Sequence, residues 1–169
     1  MKKIVINKTV INVFDYTKEL DKSADKKELI DNILKDVYYS KKIGYAGYKS
    51  KKVLMKFLHW AISIDDKLKI KKPVNIFHKH IKKLMMKCSP FLDGTGEIYI
   101  FFFPSSDDFV NKKLGGVSGY VPYKDTMTIF VNPLKYSKKI FRETVAHELA
   151  HALYFRHNNS ATLSDMLVF

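Results

Sequence analysis

Cysteine is almost missing from this chain. Cys88 is the only one in 169 residues, so no disulfide can close within the chain and no paired-thiolate metal site can be built. That excludes a disulfide-stapled secreted scaffold, favours a reducing compartment, and leads to the expectation of a cytoplasmic protein. Arginine is nearly as scarce, with Arg142 and Arg156 the only two. Because arginine supplies the bidentate contacts that read base edges, sequence-specific DNA recognition is disfavoured. No apolar run approaches the ~20 residues that span a bilayer. The N-terminal stretch MKKIVINKTVINVF starts like a secretory signal, but Asn7, Lys8 and Asn12 interrupt it and no small-residue cleavage site follows.

Lysine, by contrast, is abundant and carries the formal net charge of +13. Its doublets, among them Lys26-Lys27, Lys82-Lys83 and Lys138-Lys139, are spread along the chain instead of gathered among aromatics. Scattered doublets describe solvated helix faces, and a nucleic acid or other polyanion is the less favoured alternative partner. Apolar residues make up 46% of the sequence and include the run Phe101-Phe102-Phe103, enough for one core without staples. A single domain over residues 1–169 is expected.

Periodicity supplies the elements. Ile4, Ile6, Val10, Ile11 and Val13 read as an opening strand. Leu29, Ile30, Ile33, Leu34 and Val37 then fall at helical spacing, with Ser23 as N-cap. A second helix carries Val53, Leu54, Phe57, Leu58, Ala61 and Ile62 and is bounded by Pro73. A third carries Ile76, Phe77, Ile81, Leu84 and Met85, with Met85-Met86 as core filler. His59, His78 and His80 lie in this half without motif partners and are read as surface or packing residues.

The second half changes period. EIYIFFFP is apolar on both alternating faces, which suits a strand covered on both sides. TMTIFVNP puts Met127, Ile129 and Val131 on one face and Thr126, Thr128 and Phe130 on the other. Ser137 is placed to cap a last helix from about Lys138. The expected class is α+β, with N-terminal helices packed on a small mixed sheet, followed by a buried helix.

That last helix carries TVAHELAHALYFRH. His147 and His151, four apart, share one face of a helix, so both imidazoles can reach one ion. Glu148, on the neighbouring stripe, can act on a water without being a ligand. Zn2+ with two histidines and an adjacent glutamate is the donor set of metal-assisted peptide hydrolysis, with Glu148 as general base. Val145, Ala146, Leu149, Ala150, Ala152 and Leu153 surround the motif and point to a helix buried nearly all round.

TVAHELAHAL resembles the active-site helix of the zincin metallopeptidases. GGVSGYVPYKDTMTIFVNP before it and TLSDMLV after it are similar to the zinc-dependent proteases of the YjaZ-like family, over roughly Leu114 to Phe169. The resemblance implies a zincin-like fold, a peptide or protein substrate, and an edge strand from Gly115 to Val121 that pairs with extended peptide. Gly116, Val117, Ser118, Gly119 and Tyr120 would then contact substrate. Tyr120 and Tyr123 are candidates to stabilise an oxyanion, against turn and packing roles.

A catalytic zinc takes three protein ligands and keeps an open position. His157 has the metzincin spacing from His151, with Met166 shortly afterwards, but Tyr154 stands where metzincins carry glycine. On an unbroken helix His157 lies about 240° round from His151 and ~9 Å along the axis, out of reach; its other reading is a residue favourable to the helix dipole. Asp165, fourteen residues beyond His151, is the second candidate. In the YjaZ-like family the stretch like TLSDMLV runs into a glutamate ligand, which would fall beyond Phe169. On that reading the chain is truncated at its C-terminus, and Asp165 supports or caps instead of ligating.

The leading expectation is a zinc-dependent metallopeptidase. Two alternatives stand beside it: a non-catalytic zincin-like binding module with an incomplete metal site, and a protease of DNA-bound proteins resembling the SprT-like family.

Overall fold

EIYIFFFP becomes the central strand of a five-stranded sheet. The computed structural model describes residues 1–39, 50–62, 76–92, 96–105, 119–123, 125–131 and 138–158. Among these, strands β1 (Lys2–Ile6), β2 (Thr9–Asp15), β3 (Glu97–Pro104), β4 (Gly119–Tyr123) and β5 (Thr126–Val131) lie in the order β1-β2-β3-β5-β4. β3 runs parallel to β2 and to β5, while the outer pairs β1–β2 and β4–β5 are antiparallel, so the sheet is mixed. The parallel centre explains the sequence. A strand with helices over both faces must be apolar on both faces.

The opening strand is in fact two, joined at Asn7 and Lys8, whose φ values of 47° and 66° are both positive. Two left-handed residues between paired strands match the right-handed twist of a hairpin. Asparagine tolerates that conformation, and its side-chain amide donates to the Ser89 carbonyl at 2.9 Å, fixing the turn against the segment around Ser89.

Among the described residues four α-helices cover the sheet: α1 (Lys26–Tyr39), α2 (Lys51–Ala61), α3 (Ile76–Lys87) and α4 (Lys138–Asn158). α1 and α2 pack on one face, where Leu29, Ile30, Ile33, Leu54 and Leu58 meet Phe14, Phe101, Phe103 and Phe130. α3 and α4 pack on the other, where Ile81, Met85, Val145 and Leu149 meet Ile98, Ile100, Phe102, Met127 and Ile129. Phe101 and Phe103 thus serve one core and Phe102 the other, as strand alternation requires. The two faces expected for β5 are also found, with Met127, Ile129 and Val131 toward α4 and Phe130 toward α2.

Local details differ from the sequence reading. α1 is capped by Asp25, which accepts the Glu28 amide at 2.8 Å, while Glu28 reaches back to the Ala24 amide at 2.5 Å. Ser23 is engaged earlier, donating to the Glu19 carbonyl at 2.7 Å, at the end of a 3-10 helix (Tyr16–Lys22). Met85 is core, but Met86 is 57% exposed. Ser50 caps α2, accepting the Val53 amide. Pro73 and Ser137 lie outside the described residues. Of the three upstream histidines, His59 is exposed and His80 half-buried, as expected of surface or packing residues, and the side chain of His78 lies outside the described ones.

No helix among the described residues is long and apolar enough to cross a membrane.

Candidate metal centre and catalytic helix

α4 has the sheet on one side and solvent on the other. Phe141, Val145, Leu149, Ala152 and Phe155 recur at three- and four-residue spacing and are buried against β4, β5 and α3. The opposite side is open: His147 and Ala150 are exposed, and Tyr154 is 61% exposed. The helix is therefore buried on one face, not nearly all round, because alanines at 146 and 150 add little side chain to cover. This leaves His147 exposed and His151 half-buried while Glu148 is held in the core.

His147 and His151 come together as their spacing implies. Their Nε2 atoms are 3.0 Å apart, with rings crossed at 81°. His151 lies against Phe155, with ring planes 21° from parallel, which limits its rotation. Two imidazole nitrogens at ~2.05 Å from one tetrahedral ion stand about 3.3 Å apart. The observed pair, at hydrogen-bond distance, thus needs only a few tenths of an ångström of adjustment to share zinc. Burial, then the neighbouring His147, lowers the His151 pKa, which favours the neutral imidazole that a metal requires.

Glu148 turns the other way, into the interface between α4 and β4. It is 2% exposed, and burial raises its carboxyl to a pKa of about 7. A cation held by the adjacent histidines would act in the opposite sense, favouring the carboxylate. Its close neighbour across the interface is Gly119, the first residue of β4.

β4 occupies the sheet edge, paired through Gly119, Tyr120 and Tyr123 to β5 with a register shift between the two tyrosines. Its outer edge is where an added strand would pair. Of the proposed substrate-contacting residues, Gly119 and Tyr120 belong to β4; Gly116, Val117 and Ser118 lie outside the described residues, as do the side chains of Tyr120 and Tyr123.

The third-ligand candidates fare differently. α4 continues without a break through Asn158, so position 157 sits on the helix about 240° round from His151 and ~9 Å along it. Asp165 and Met166 lie outside the described residues. Among the described residues no group of three or more His, Cys, Asp or Glu side chains could hold a metal ion. Two convergent donors with an adjacent carboxyl therefore fit zinc as a partial ligand set.

Sequence reasoning missed what secures this helix. Arg156 donates through Nε to Asp125 Oδ1 at 3.0 Å and through Nη2 to the Glu97 carbonyl at 3.2 Å. It ties the last turns of α4 to the start of β3 and to the turn between β4 and β5. An apolar recess of about 640 Å³ borders the motif on the side of Ala146 and Ala150, with Cys88 and Phe91 on its far wall.

The chain belongs to the family described as "Predicted Zn-dependent protease (DUF2268)", whose model matches residues 77–169, more than half of the sequence. The match begins in α3, well upstream of Leu114, and takes in β3, β4, β5 and α4. No curated protein and no solved structure matches the chain.

Proposed function

We propose that this protein is a zinc-dependent metallopeptidase with a zincin-like site, in which His147 and His151 hold the metal and Glu148 is the general base. One observation carries the reading: the two imidazole Nε2 atoms come to 3.0 Å on a helix whose intervening glutamate is buried. Membership of a zinc-protease family supports it.

Zinc, when bound, supplies a water of lowered pKa and a polarised substrate carbonyl. The chain supplies the rest. Glu148 accepts a proton from the attacking water, whose oxygen adds to the scissile carbonyl carbon. The same carboxyl passes that proton to the leaving nitrogen as the C–N bond breaks, so the products are an acid and an amine. The outer edge of β4 orients an extended peptide over the helix by main-chain pairing. Gly116 to Tyr120 make those contacts.

The unbroken course of α4 weighs against His157, and Asp165 is taken as the third ligand. Zinc per chain, measured by elemental mass spectrometry, tests the ligand set: near-stoichiometric metal is expected, lost in His151→Ala and in Asp165→Ala but retained in His157→Ala. Peptidase activity that survives in Glu148→Gln would sink the catalytic assignment. A protein without zinc would instead be a zincin-like binding module.

A further inference from the structure

Gly119 is buried and stands over Glu148 at a separation that only a glycine allows. A Cβ built there would lie 2.7 Å from Glu148 Cγ, 3.0 Å from Oε1 and 3.1 Å from Cδ. All three atoms belong to one side chain. Glu148 cannot simply yield, because its neighbours on the helix, Val145, Leu149 and Ala152, are packed in the core and it is itself 2% exposed. Nor is the glycine explained by backbone conformation: among the described residues Gly96 is the glycine with positive φ, and Gly119 is not. The position is therefore small for the sake of what lies beneath it.

We infer that Gly119 is a positioning residue for Glu148: its bare backbone forms the seat that sets where the carboxyl sits relative to His147 and His151. The catalytic half of this inference rests on the peptidase reading, and the steric half does not. β4 then has two duties on opposite sides of one residue, since the strand that offers its outer edge to peptide also fixes the base below. A methyl group at 119 must push either the carboxyl away from the histidines or β4 away from α4. Either movement changes turnover more than peptide affinity.

Two linked measurements test it. In thermal melting, Gly119→Ala is expected to lower Tm by roughly 3–10 °C, as overpacking in a tight interface does. In the Glu148→Ala background, which removes Cγ, Cδ and Oε1 together, the same substitution should cost little. An equal loss in both backgrounds, or none in the parent, would overturn the inference. Should Gly119→Ala fail to fold, recovery of folding in Gly119→Ala/Glu148→Ala supports the seat, and failure of both refutes it. In peptidase assays, Gly119→Ala should lower kcat about a hundredfold with KM little changed. Zinc per chain should stay at the parent value in Gly119→Ala while kcat falls, whereas a general loss of structure would lower both. A parent protein inactive on every peptide offered would sink the peptidase reading, while the melting comparison would still decide the seat.

Discussion

Arg156 and Asp125 are 31 positions apart in sequence and form a 3.0 Å ion pair that holds the end of α4 to the β4–β5 turn. The pair is mostly shielded, with side-chain exposures of 15% and 28%, and Arg156 also donates to the Glu97 carbonyl. Replacing it removes two charge-assisted bonds and leaves a half-buried carboxylate. Arg156→Ala should cost about 1–2 kcal/mol after allowance for solvent screening. For a chain of this length that corresponds to a Tm lower by roughly 2–8 °C in differential scanning calorimetry. Arg156→Lys keeps the charge but not the planar fork and should recover less than half. A lysine variant as stable as the parent would show that charge alone suffices.

If His147 and His151 share zinc, the metal binds the folded chain and not the unfolded one, so it must stabilise. At a free concentration ~100 times its Kd the gain is about 2.7 kcal/mol, or roughly 5–10 °C in Tm. Chelation should reverse the gain, and His147→Ala should abolish it. A Tm that rises equally with zinc in parent and variant would place the ion elsewhere on the protein.

These two relationships differ in how far the sequence betrays them. His147 and His151 are neighbours through helix geometry alone, so their spacing is enough to announce the pair. Phe101 to Phe103 are equally legible, because an apolar run without alternation means a strand covered on both faces. Arg156–Asp125 and Gly119–Glu148 join distant segments, and no local pattern encodes them. The hairpin at Asn7-Lys8 is hidden for another reason: its turn lacks the glycine that usually marks one. Ser23 and Asp25 both qualify as caps by residue type, and the choice falls to Asp25, which accepts the Glu28 amide while Glu28 accepts the amide of Ala24, one residue before the cap. The exposure of His147 and Tyr154 is not legible either, since alanines read as apolar even where they face solvent.

Asp15 offers a pH test away from the metal centre. Its side chain is 3% exposed at the C-terminal end of β2, accepts the Thr17 amide at 3.2 Å, and has Lys18 Nζ 3.9 Å from Oδ2. Burial raises its pKa, and the Thr17 bonds and Lys18 offset this only in part. The folded state therefore holds the proton more tightly than the unfolded chain. Stability falls as pH rises from the ordinary value of 3.8 through the raised one, then levels off. Asp15→Asn removes the charge and keeps an acceptor for Thr17, so it should melt above the parent at pH 7, with the gap closing as the pH is lowered through that window. A variant less stable than the parent at every pH would mean that the Lys18 pair outweighs burial.

Lys8 is held at φ 66°, a conformation that costs a residue with a Cβ roughly 1 kcal/mol and glycine nothing. Unlike Asn7, whose amide holds the Ser89 carbonyl, Lys8 has an exposed side chain. Glycine there relieves the strain in the folded state, while the freer unfolded chain takes back part of the gain. The balance predicts that Lys8→Gly raises stability by about 0.5 kcal/mol, or ~1–2 °C in Tm, and that Asn7→Gly lowers it because the bond to Ser89 is lost. Melting curves of the two variants should therefore move in opposite directions. If both rise, the Asn7 bond contributes nothing net, and if both fall, the turn is not under the strain its dihedral angles describe.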